Sequence, residues 1–428
     1  MEKKLYDEII ALAKKEVIPA IGCTEPIAVS LCVAKAKEIL GYKPEKIKVY
    51  LSANVLKNAM GVGIPGANGM IGLPIAVALG ALIGKSEYLL EVLKDSSPEA
   101  LEAGKQMIDS GNIEIKLKDK TDEMLYIEAI CSYGNQTATA IIAGEHTNFI
   151  YLKKDDTVLF DSKLAPKVPS AEDMLGLNMH LIYDFSVNSS IDDIEFILES
   201  ARINKAASEQ SFKNKYGHEL GRTLNGKSQY SVMGDSVFTN ILSYTSAACD
   251  ARMAGAMIPV MSNSGSGNQG IAATLPVTIY AEKYNKTKEE LARALMLSHL
   301  TVIYIKQKLG RLSALCGCVI AATGSSCGIV LLMGGKYEQI TFAVKNMIAN
   351  LTGMICDGAK PGCSMKVASG VSTALLSAML AMEQKCVTSV EGIIDDDVDK
   401  CIDNLTCIGS QAMRETDKAV LDIMTHKK

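Results

Sequence analysis

The sequence contains no tryptophan, few aromatic residues and no surplus of basic residues. Aromatic side chains make up 5% of the 428 residues, and 44 Lys and Arg stand against 48 Asp and Glu, for a net charge of −4. No run of Lys or Arg forms a basic stripe, so the charge pattern gives no indication of a nucleic-acid partner. Hydrophobic residues account for 48% of the chain, which is enough for a sizeable core and more than one domain.

An export signal is not expected either. The first eight residues are mostly charged and lack the apolar stretch of a signal peptide. Twelve cysteines in such a chain favour a reducing, cytoplasmic environment. Disulfides are then not expected, and the cysteines remain for metal binding, catalysis or core packing.

Two uncharged runs, 58–84 and 312–335, are long enough to cross a bilayer. Both are interrupted, the first by two prolines, an asparagine and several glycines, the second by glycines and serines. Neither has an aromatic belt or an asymmetry of basic residues between its two flanks. We therefore expect buried core helices and no membrane partner.

The hydrophobic pattern predicts two kinds of structure. Helical periodicity marks residues 3–16 and a second helix from about Thr24 to Leu40, which stops at Gly41. The following segments predict six strands, several of which alternate polar and apolar residues, and two helices that interrupt them. The strands are 46–51, 113–117, 125–131, 137–143, 149–152 and 158–160, and the helices are 70–83 and 97–110. Beyond about residue 170 nearly every segment has helical character, as at 191–208, 235–254, 286–308, 338–352, 366–383 and 394–424.

Three cysteines in the last third of the chain form the main candidate site. Cys316 precedes a glycine, and Cys356 and Cys363 flank a tight loop that contains Gly358 and Pro361. Three thiolates on such loops can hold an iron–sulfur cluster and leave one iron open to a substrate. Neither spacing is that of a CxxC zinc pair. The alternative is that all three are ordinary buried thiols.

Seven other cysteines are assigned to core packing. Cys318 follows Cys316 by two positions, and we expect it to point elsewhere on any regular element. The thiols assigned to the core are Cys32, Cys131, Cys249, Cys327, Cys386, Cys401 and Cys407.

Cys23 lies directly before the start of the second predicted helix. The positive end of a helix dipole stabilises a thiolate, which would serve as a base, a nucleophile or a fourth metal ligand. In the alternative, Thr24 caps the helix and Cys23 is incidental. The sequence leaves both open.

Hydroxyl and amide side chains alternate with glycines over residues 261–270. Such a segment offers backbone N–H groups as an anion site, which suits an amino-acid carboxylate. The spacing matches no nucleotide motif. The alternative is a plain flexible loop, but apolar flanks favour a buried one. The candidate substrate-binding residues here are Ser262, Asn263, Ser264, Gly265, Ser266 and Asn268.

Two histidines and one charged pair are further candidates. His146 is predicted in a turn between two strands and is a candidate proton carrier, whereas His299 on an apolar helix is interpreted as a core residue. Asp250 and Arg252 either form an ion pair or orient a substrate.

Four motifs, taken together, resemble the iron–sulfur L-cysteine desulfidases, which are related to the alpha chain of bacterial iron–sulfur L-serine dehydratases. The motifs are Gly-Cys-Thr-Glu-Pro at 22–26, Met-Ser-Asn-Ser-Gly-Ser-Gly-Asn-Gln-Gly at 261–270, Leu-Ser-Ala-Leu-Cys at 312–316 and Met-Ile-Cys-Asp-Gly-Ala at 354–359. Shorter matches include Asn58, His146 and the segment that contains Arg252. The resemblance covers essentially the whole chain.

The resemblance implies a [4Fe–4S] cluster held by Cys316, Cys356 and Cys363, with Cys23 as a base or labile ligand. It implies cleavage of L-cysteine to pyruvate, ammonia and hydrogen sulfide without pyridoxal phosphate, which is a carbon–sulfur lyase reaction. Asn58 and Arg252 join the substrate-binding candidates, and His146 is the second candidate base.

The chain departs from the serine dehydratases in two places. Their Ser-Ser-His-Thr loop is absent, and the last residues contain no cysteine. Both departures favour cysteine over serine as the substrate. An iron–sulfur L-serine dehydratase, a non-enzymatic cysteine or redox sensor and a zinc-structured scaffold remain alternatives, and the sequence leaves open whether the chain is a homodimer.

These patterns predict an α+β fold, with a mostly helical catalytic domain and a smaller mixed α/β sheet domain inserted near the N-terminus. We divide the chain into N-terminal helices that carry Cys23 and pack on the catalytic domain (1–43), an α+β domain (44–165) and an all-α cluster-binding catalytic domain (166–428).

Overall fold

A computed structural model of the chain describes residues 2–118, 121, 123–162, 175–226, 233–310 and 312–426. The predicted boundary between 165 and 166 lies outside the described residues, and the three-part division remains a prediction. The first part of the chain holds seven strands and five α-helices. In chain order they are α1 Lys3–Glu16, β1 Pro19–Ile21, α2 Thr24–Leu40, β2 Lys46–Leu51, α3 Ala53–Ala59, α4 Leu73–Leu82, α5 Pro98–Asp109, β3 Ile113–Leu117, β4 Tyr126–Tyr133, β5 Gln136–Ala143, β6 Phe149–Lys154 and β7 Thr157–Asp161.

Within the described residues, the second part of the chain contains helices and one short strand. In chain order its elements are α6 Met179–Asn188, α7 Ile191–Ile194, α8 Leu198–Lys213, α9 Leu220–Asn225, α10 Val237–Met253, β8 Pro259–Met261, α11 Gly267–Lys283, α12 Lys288–Leu309, α13 Gly317–Leu332, α14 Tyr337–Leu351, α15 Cys363–Met382, α16 Val398–Cys407 and α17 Arg414–His426. Together the two parts confirm the predicted α+β fold.

A mixed six-stranded sheet, in the order β3-β2-β4-β5-β6-β7, organises the first part. β2 pairs parallel with β3 and antiparallel with β4. Alternate residues of β2 are buried, and α2 and α4 pack in the same core. All six predicted strands are present. Burial alternates along β2, β4 and β5, because one face of the sheet is covered there and the other is more exposed.

The two uncharged runs form buried helices, as predicted. α4 lies in the core of the sheet region, and α13 lies in the helical core between α11, α12, α14 and α15. A Cβ at Gly324 of α13 would lie 2.4 Å from the carbonyl oxygen of Ser298, so glycine is required for the close approach of α12. Among the described residues, one helix, α15, is long and apolar enough to span a membrane, and half of its apolar window is buried.

A short two-stranded pairing connects distant parts of the chain. β1 runs antiparallel to β8, with Ala20 opposite Val260. The pairing brings the residues after β1, including Cys23, beside the residues after β8. α1 packs on the helical core, whereas α2 shares its core with the sheet.

The structure corrects several predicted elements. Residues 267–270 of the predicted loop are the first turn of α11, whose glycines and buried Pro276 concealed a helix. The predicted helix at 191–208 consists of α7, a 3₁₀ turn and the start of α8. The predicted helix at 394–424 is divided by a π turn at Ile408–Ala412.

Candidate functional site

Backbone pairing holds two of the three candidate ligand cysteines side by side. Leu315 and Ile355 form an isolated β-bridge. The N–H of Cys316 donates to the Met354 carbonyl at 2.9 Å, and the N–H of Cys356 donates to the Ala314 carbonyl at 2.6 Å. The two segments are thereby fixed against each other before any ligand is bound.

The loop from Cys356 to Cys363 is anchored on α3 and α17. Gly358 has φ +87°, and a Cβ there would lie 2.3 Å from the carbonyl oxygen of Lys57. The buried Lys57 Nζ donates to the Cys356 carbonyl at 3.3 Å and pairs with Asp417 Oδ1 at 2.5 Å. α3, the loop and α17 thus meet at one ammonium group.

The candidate ligands share a cavity of about 110 Å³. A single water molecule needs only about 10–15 Å³ of such space, so the cavity has room for a larger group. Thiols, amides, charged groups and small residues make up its wall. They are Cys23, Glu25, Asn58, Arg252, Gly265, Ser266, Asn268, Gln269, Cys316, Gly317, Cys318, Cys356, Gly358, Ala359, Cys363, Lys366 and Val367.

The donor set fits an iron–sulfur cluster better than a single ion. Cys316, Cys356 and Cys363 face one cavity, and soft thiolates are the usual ligands of iron–sulfur clusters. In the described ranges no three His, Cys, Asp or Glu side chains converge where a single metal ion would bind. Cluster thiolates bind different irons, so they do not have to converge on one point.

Charge and hydrogen bonding favour a thiolate at Cys316. The Cys318 thiol lies 3.3 Å from Cys316 Sγ and, with Lys366 and Lys360 nearby, lowers the pKa of Cys316 despite its burial. Lys366 is held in place by its bond to the Ile355 carbonyl at 2.8 Å. Burial raises the pKa of Cys363 to about 11 and that of Cys356 above its usual value. Of the three candidate ligands, Cys316 is therefore the one whose surroundings most favour a thiolate.

The prediction for Cys318 was wrong. Its sulfur lines the cavity, close to Cys316, Met354 Sδ and the Lys366 carbonyl, each at 3.3 Å. The reason is that Cys316 is the N-cap of α13 in an extended conformation, so the two residues do not belong to one regular element.

Of the two interpretations that the sequence left open for Cys23, its surroundings do not favour a thiolate stabilised by the helix dipole. Cys23 is the N-cap of α2, yet burial and the neighbouring Glu25 raise its pKa well above the usual value. Its thiol donates to Glu25 Oε2 at 3.1 Å, and the Asn58 amide donates to Glu25 Oε1 at 3.1 Å. Burial alone would raise the pKa of Glu25, but His146, the Cys23 bond and Arg252 hold it below its usual range. The pair is a thiol beside a carboxylate.

Arg252 lies in the wall of the cavity with its guanidinium unpaired. It is 3% exposed, its Nε has no hydrogen-bond partner, and within the described ranges it forms no ion pair with Asp250. Asp250 instead accepts from the Gly221 N–H at 3.0 Å. Gly267 makes the room for Arg252, since a Cβ there would lie 2.2 Å from Nε. A buried arginine of this kind is suited to an anionic ligand.

The 261–270 segment divides into structural and cavity-lining residues. Gly265, Ser266 and Asn268 line the cavity together with Asn58 and Arg252. Ser262, Asn263 and Ser264 do not. The Ser262 hydroxyl donates to the Ile18 carbonyl at 2.7 Å, and the Ser264 hydroxyl donates to Asn263 Oδ1 at 2.8 Å. The hydrogen bonds of these three side chains stabilise the turn.

The two histidines differ in position. His146 lies in the turn between β5 and β6, half-buried, near enough to Glu25 to lower its pKa but outside the cavity wall. His299 is buried between Asn263 and Thr274, with both ring nitrogens 3.0 Å from a partner. Burial lowers the pKa of His299 to about 3. It is a satisfied core residue, as predicted.

Most of the other thiols are buried and bond to backbone or amide oxygens, as in core packing. Cys32 donates to the Ala140 carbonyl at 3.2 Å. Cys249 donates to Asn268 Oδ1 at 3.4 Å and lies near Cys363 and Cys316, behind the cavity. Cys407 is exposed, which corrects its assignment to the core.

Three charged or amide residues of the cavity wall were not predicted from the sequence. Glu25 and Gln269 belong to the quoted motifs but were not singled out, and Lys366 follows Cys363 by three positions. A carboxylate two residues after a cysteine at a helix start was the available signal for Glu25. For Gln269 the missing information was that α11 begins at Gly267.

Comparison with known proteins places these residues in a family. The model of the family described as "Serine dehydratase alpha chain" matches residues 87–422, which include Arg252 and the three candidate ligand cysteines. A UPF0597 protein of Bacteroides thetaiotaomicron is 70% identical over 420 residues, 98% of each chain. UPF0597 proteins of Porphyromonas gingivalis and Oleidesulfovibrio alaskensis are 55% and 47% identical, and each match covers 100% of both chains. The chain belongs to the serine dehydratase alpha chain family.

Proposed function

We propose that the chain is a [4Fe–4S]-dependent L-cysteine desulfidase, which cleaves L-cysteine to pyruvate, ammonia and hydrogen sulfide. Its family supports iron–sulfur, dehydratase-like lyase chemistry. The choice of cysteine and the type of cluster are the proposal. The observation that carries it is that three candidate ligand cysteines share one cavity with a buried, unpaired arginine.

The cavity supplies the groups that a β-elimination needs. Cys316, Cys356 and Cys363 would hold the cluster, which when bound supplies an iron without a protein ligand as a Lewis acid. Arg252 holds the substrate carboxylate, next to the positive end of α11. The substrate is thereby oriented with its Cα toward Cys23 and Glu25.

Cys23 and Glu25 act together on the proton. The Cys23 sulfur removes the proton from Cα while Glu25 takes the thiol proton along the 3.1 Å hydrogen bond, so no free thiolate has to form first. A free thiolate would be costly, because the pKa of Cys23 is raised well above its usual value and that of Glu25 is lowered. The electron pair left at Cα forms the Cα=Cβ bond while the Cβ–S bond breaks and sulfide leaves. The aminoacrylate is hydrolysed by one water to pyruvate and ammonia, so the atoms balance.

Sulfide is a better leaving group than hydroxide. Hydroxide needs a proton donor as it leaves, whereas sulfide leaves as a stable anion. An L-serine dehydratase is the second candidate, favoured by the family itself. The kcat/KM for L-cysteine and for L-serine, measured on one preparation, decides between them.

The first experiment is anaerobic purification with iron and sulfide analysis, followed by an assay with L-cysteine. We expect about four irons per chain, and release of sulfide and pyruvate in equal amounts. An iron-free protein that still releases sulfide would contradict the mechanism. Amino-acid binding without turnover would identify a sensor, and stoichiometric zinc would identify a structural scaffold.

Cys23→Ala tests the role of the thiol. We expect turnover to be lost and iron content to be retained, because Glu25 and Asn58 keep their hydrogen bond. Iron content that falls together with turnover would make Cys23 a ligand and leave His146 as the next candidate base.

A further inference from the structure

Two buried amide oxygens in the cavity wall lack hydrogen-bond partners. They are Asn58 Oδ1 and Gln269 Oε1, on side chains that are 9% and 3% exposed. Buried polar atoms in folded proteins are nearly always paired, so two unpaired acceptors in one wall mark a place where a donor binds.

The orientation of both amides is fixed by their nitrogen ends. The Asn58 Nδ2 donates to the Glu25 carboxylate at 3.1 Å, and the Gln269 Nε2 donates to the Asn263 carbonyl at 3.4 Å. Both partners only accept, so a rotated amide would place oxygen against oxygen. The two free ends are therefore acceptors.

Gln269 lies directly against the start of α13. A Cβ on Gly317 would lie 3.1 Å from Gln269 Cδ and 3.3 Å from its Oε1. Gly317 follows the candidate ligand Cys316, so this glycine leaves room for the amide beside the ligand. A group bound at Oε1 is thereby next to the ligand cysteines.

We infer that Gln269, together with Asn58, binds the α-ammonium group of the substrate and restricts the site to α-amino acids. The inference rests on the proposed function and names the group that this function did not assign. Arg252 offers unpaired donors for a carboxylate, and the two amides offer unpaired acceptors for an ammonium. The three side chains match the two charged ends of a zwitterion.

Two small probes that differ in the α-ammonium alone test this pairing without turnover. L-alanine and propionate lack a leaving group at Cβ, so neither is consumed. Anaerobic calorimetry with the iron-loaded protein measures the affinity of each. In the unaltered protein we expect L-alanine to bind at least tenfold more tightly than propionate. Equal affinities would overturn the inference, since waters alone would then satisfy the amide oxygens.

Gln269→Met removes the acceptor at nearly constant volume. We expect it to weaken L-alanine at least tenfold and to leave propionate and iron content unchanged. Loss of both affinities in equal proportion would show that Gln269 only supports the fold and would overturn the assignment. Gln269→Glu keeps an acceptor and adds a negative charge, so it should retain L-alanine and weaken propionate. Gln106→Met, on an exposed surface of α5, is the matched control.

The outcome is separable from that of the proposed function. Selective binding of L-alanine by a protein that does not turn over L-cysteine would refute the desulfidase and keep the ammonium site. Turnover of L-cysteine by a protein with no preference for L-alanine over propionate would do the reverse.

Discussion

Buried thiols in the sheet core and in the cavity wall have different surroundings. Cys32 and Cys131 lie between α2 and the sheet, where they donate to backbone carbonyls and burial raises the pKa of Cys131 to about 12. Cys316 contacts the Cys318 thiol and lies near two lysines, which lower its pKa. The comparison shows how its surroundings set the role of a buried cysteine. Neighbours that accept a hydrogen bond from the S–H group keep it a thiol, whereas neighbours that donate hydrogen bonds or carry positive charge stabilise the thiolate.

The largest expected effect separates these two groups of thiols. Cys356→Ala should remove most of the iron and all measurable turnover, because the two candidate ligands that remain, Cys316 and Cys363, are too few to hold the cluster. Cys131→Ala is the matched control, and we expect it to keep its iron, since its sulfur only packs against α2. Iron analysis after anaerobic purification measures both. Equal iron contents in the two variants would remove the distinction.

The second effect concerns a buried charge that is paired. Lys57→Met leaves Asp417 without its partner at 2.5 Å, and breaking such a pair costs about 3–5 kcal/mol. Urea unfolding should show this loss, and Lys57→Met with Asp417→Leu should restore most of it. Lys418→Met, which breaks an exposed pair with Glu415, should cost less than about 1 kcal/mol. Similar losses from the two single lysine variants would contradict the role of Lys57.

The third effect concerns a buried charge that is unpaired. Arg252→Met should lower kcat/KM for L-cysteine about 100-fold, or about 2.7 kcal/mol, because the carboxylate loses its counter-charge. Arg202→Met, at an exposed pair with Glu199, is the control. Unchanged kcat/KM would place the carboxylate elsewhere.

The fourth effect is absent near neutral pH and appears only in acid. His299 has a pKa of about 3 in the folded protein, against about 6.5 when unfolded. Its contribution is therefore complete above about pH 6.5 and is lost as the pH falls toward 3, by about 1.4 kcal/mol per pH unit. His299→Gln should flatten this part of the stability curve, measured by urea unfolding at several pH values. His426→Gln, at an exposed position, should leave the slope as it is.

The sheet and the first two helices could be predicted because local signals agree with burial there. β2 alternates because one face is covered, and α2 ends at Gly41, which has φ +81°. α11 was missed because Gly267 and Gly270 resemble loop residues. Their small size is required by Arg252 and by the backbone at the end of β8, contacts that exist only in the folded chain.

The site could be predicted in part for the same reason. The three candidate ligands were identified from spacing and resemblance, and the structure places them in one cavity. The pKa of Cys23 could not be inferred, because burial outweighs the helix dipole and depends on contacts across the whole chain. Likewise, the hydrogen bond of the Ser262 hydroxyl depends on the carbonyl of Ile18, which the pairing of β1 with β8 brings near.

The anchoring of the candidate ligand loop on Lys57 and Asp417 has a consequence for biosynthesis. The two residues are 360 positions apart in the chain, and Asp417 lies in the last helix. The sheet region contains all six of its strands and, apart from Leu312, the described residues of its core before residue 162. It can fold while the ribosome is still at work, but the loop can be anchored only after Asp417 has been made. Delivery of the proposed cofactor to a finished site therefore follows the synthesis of α17.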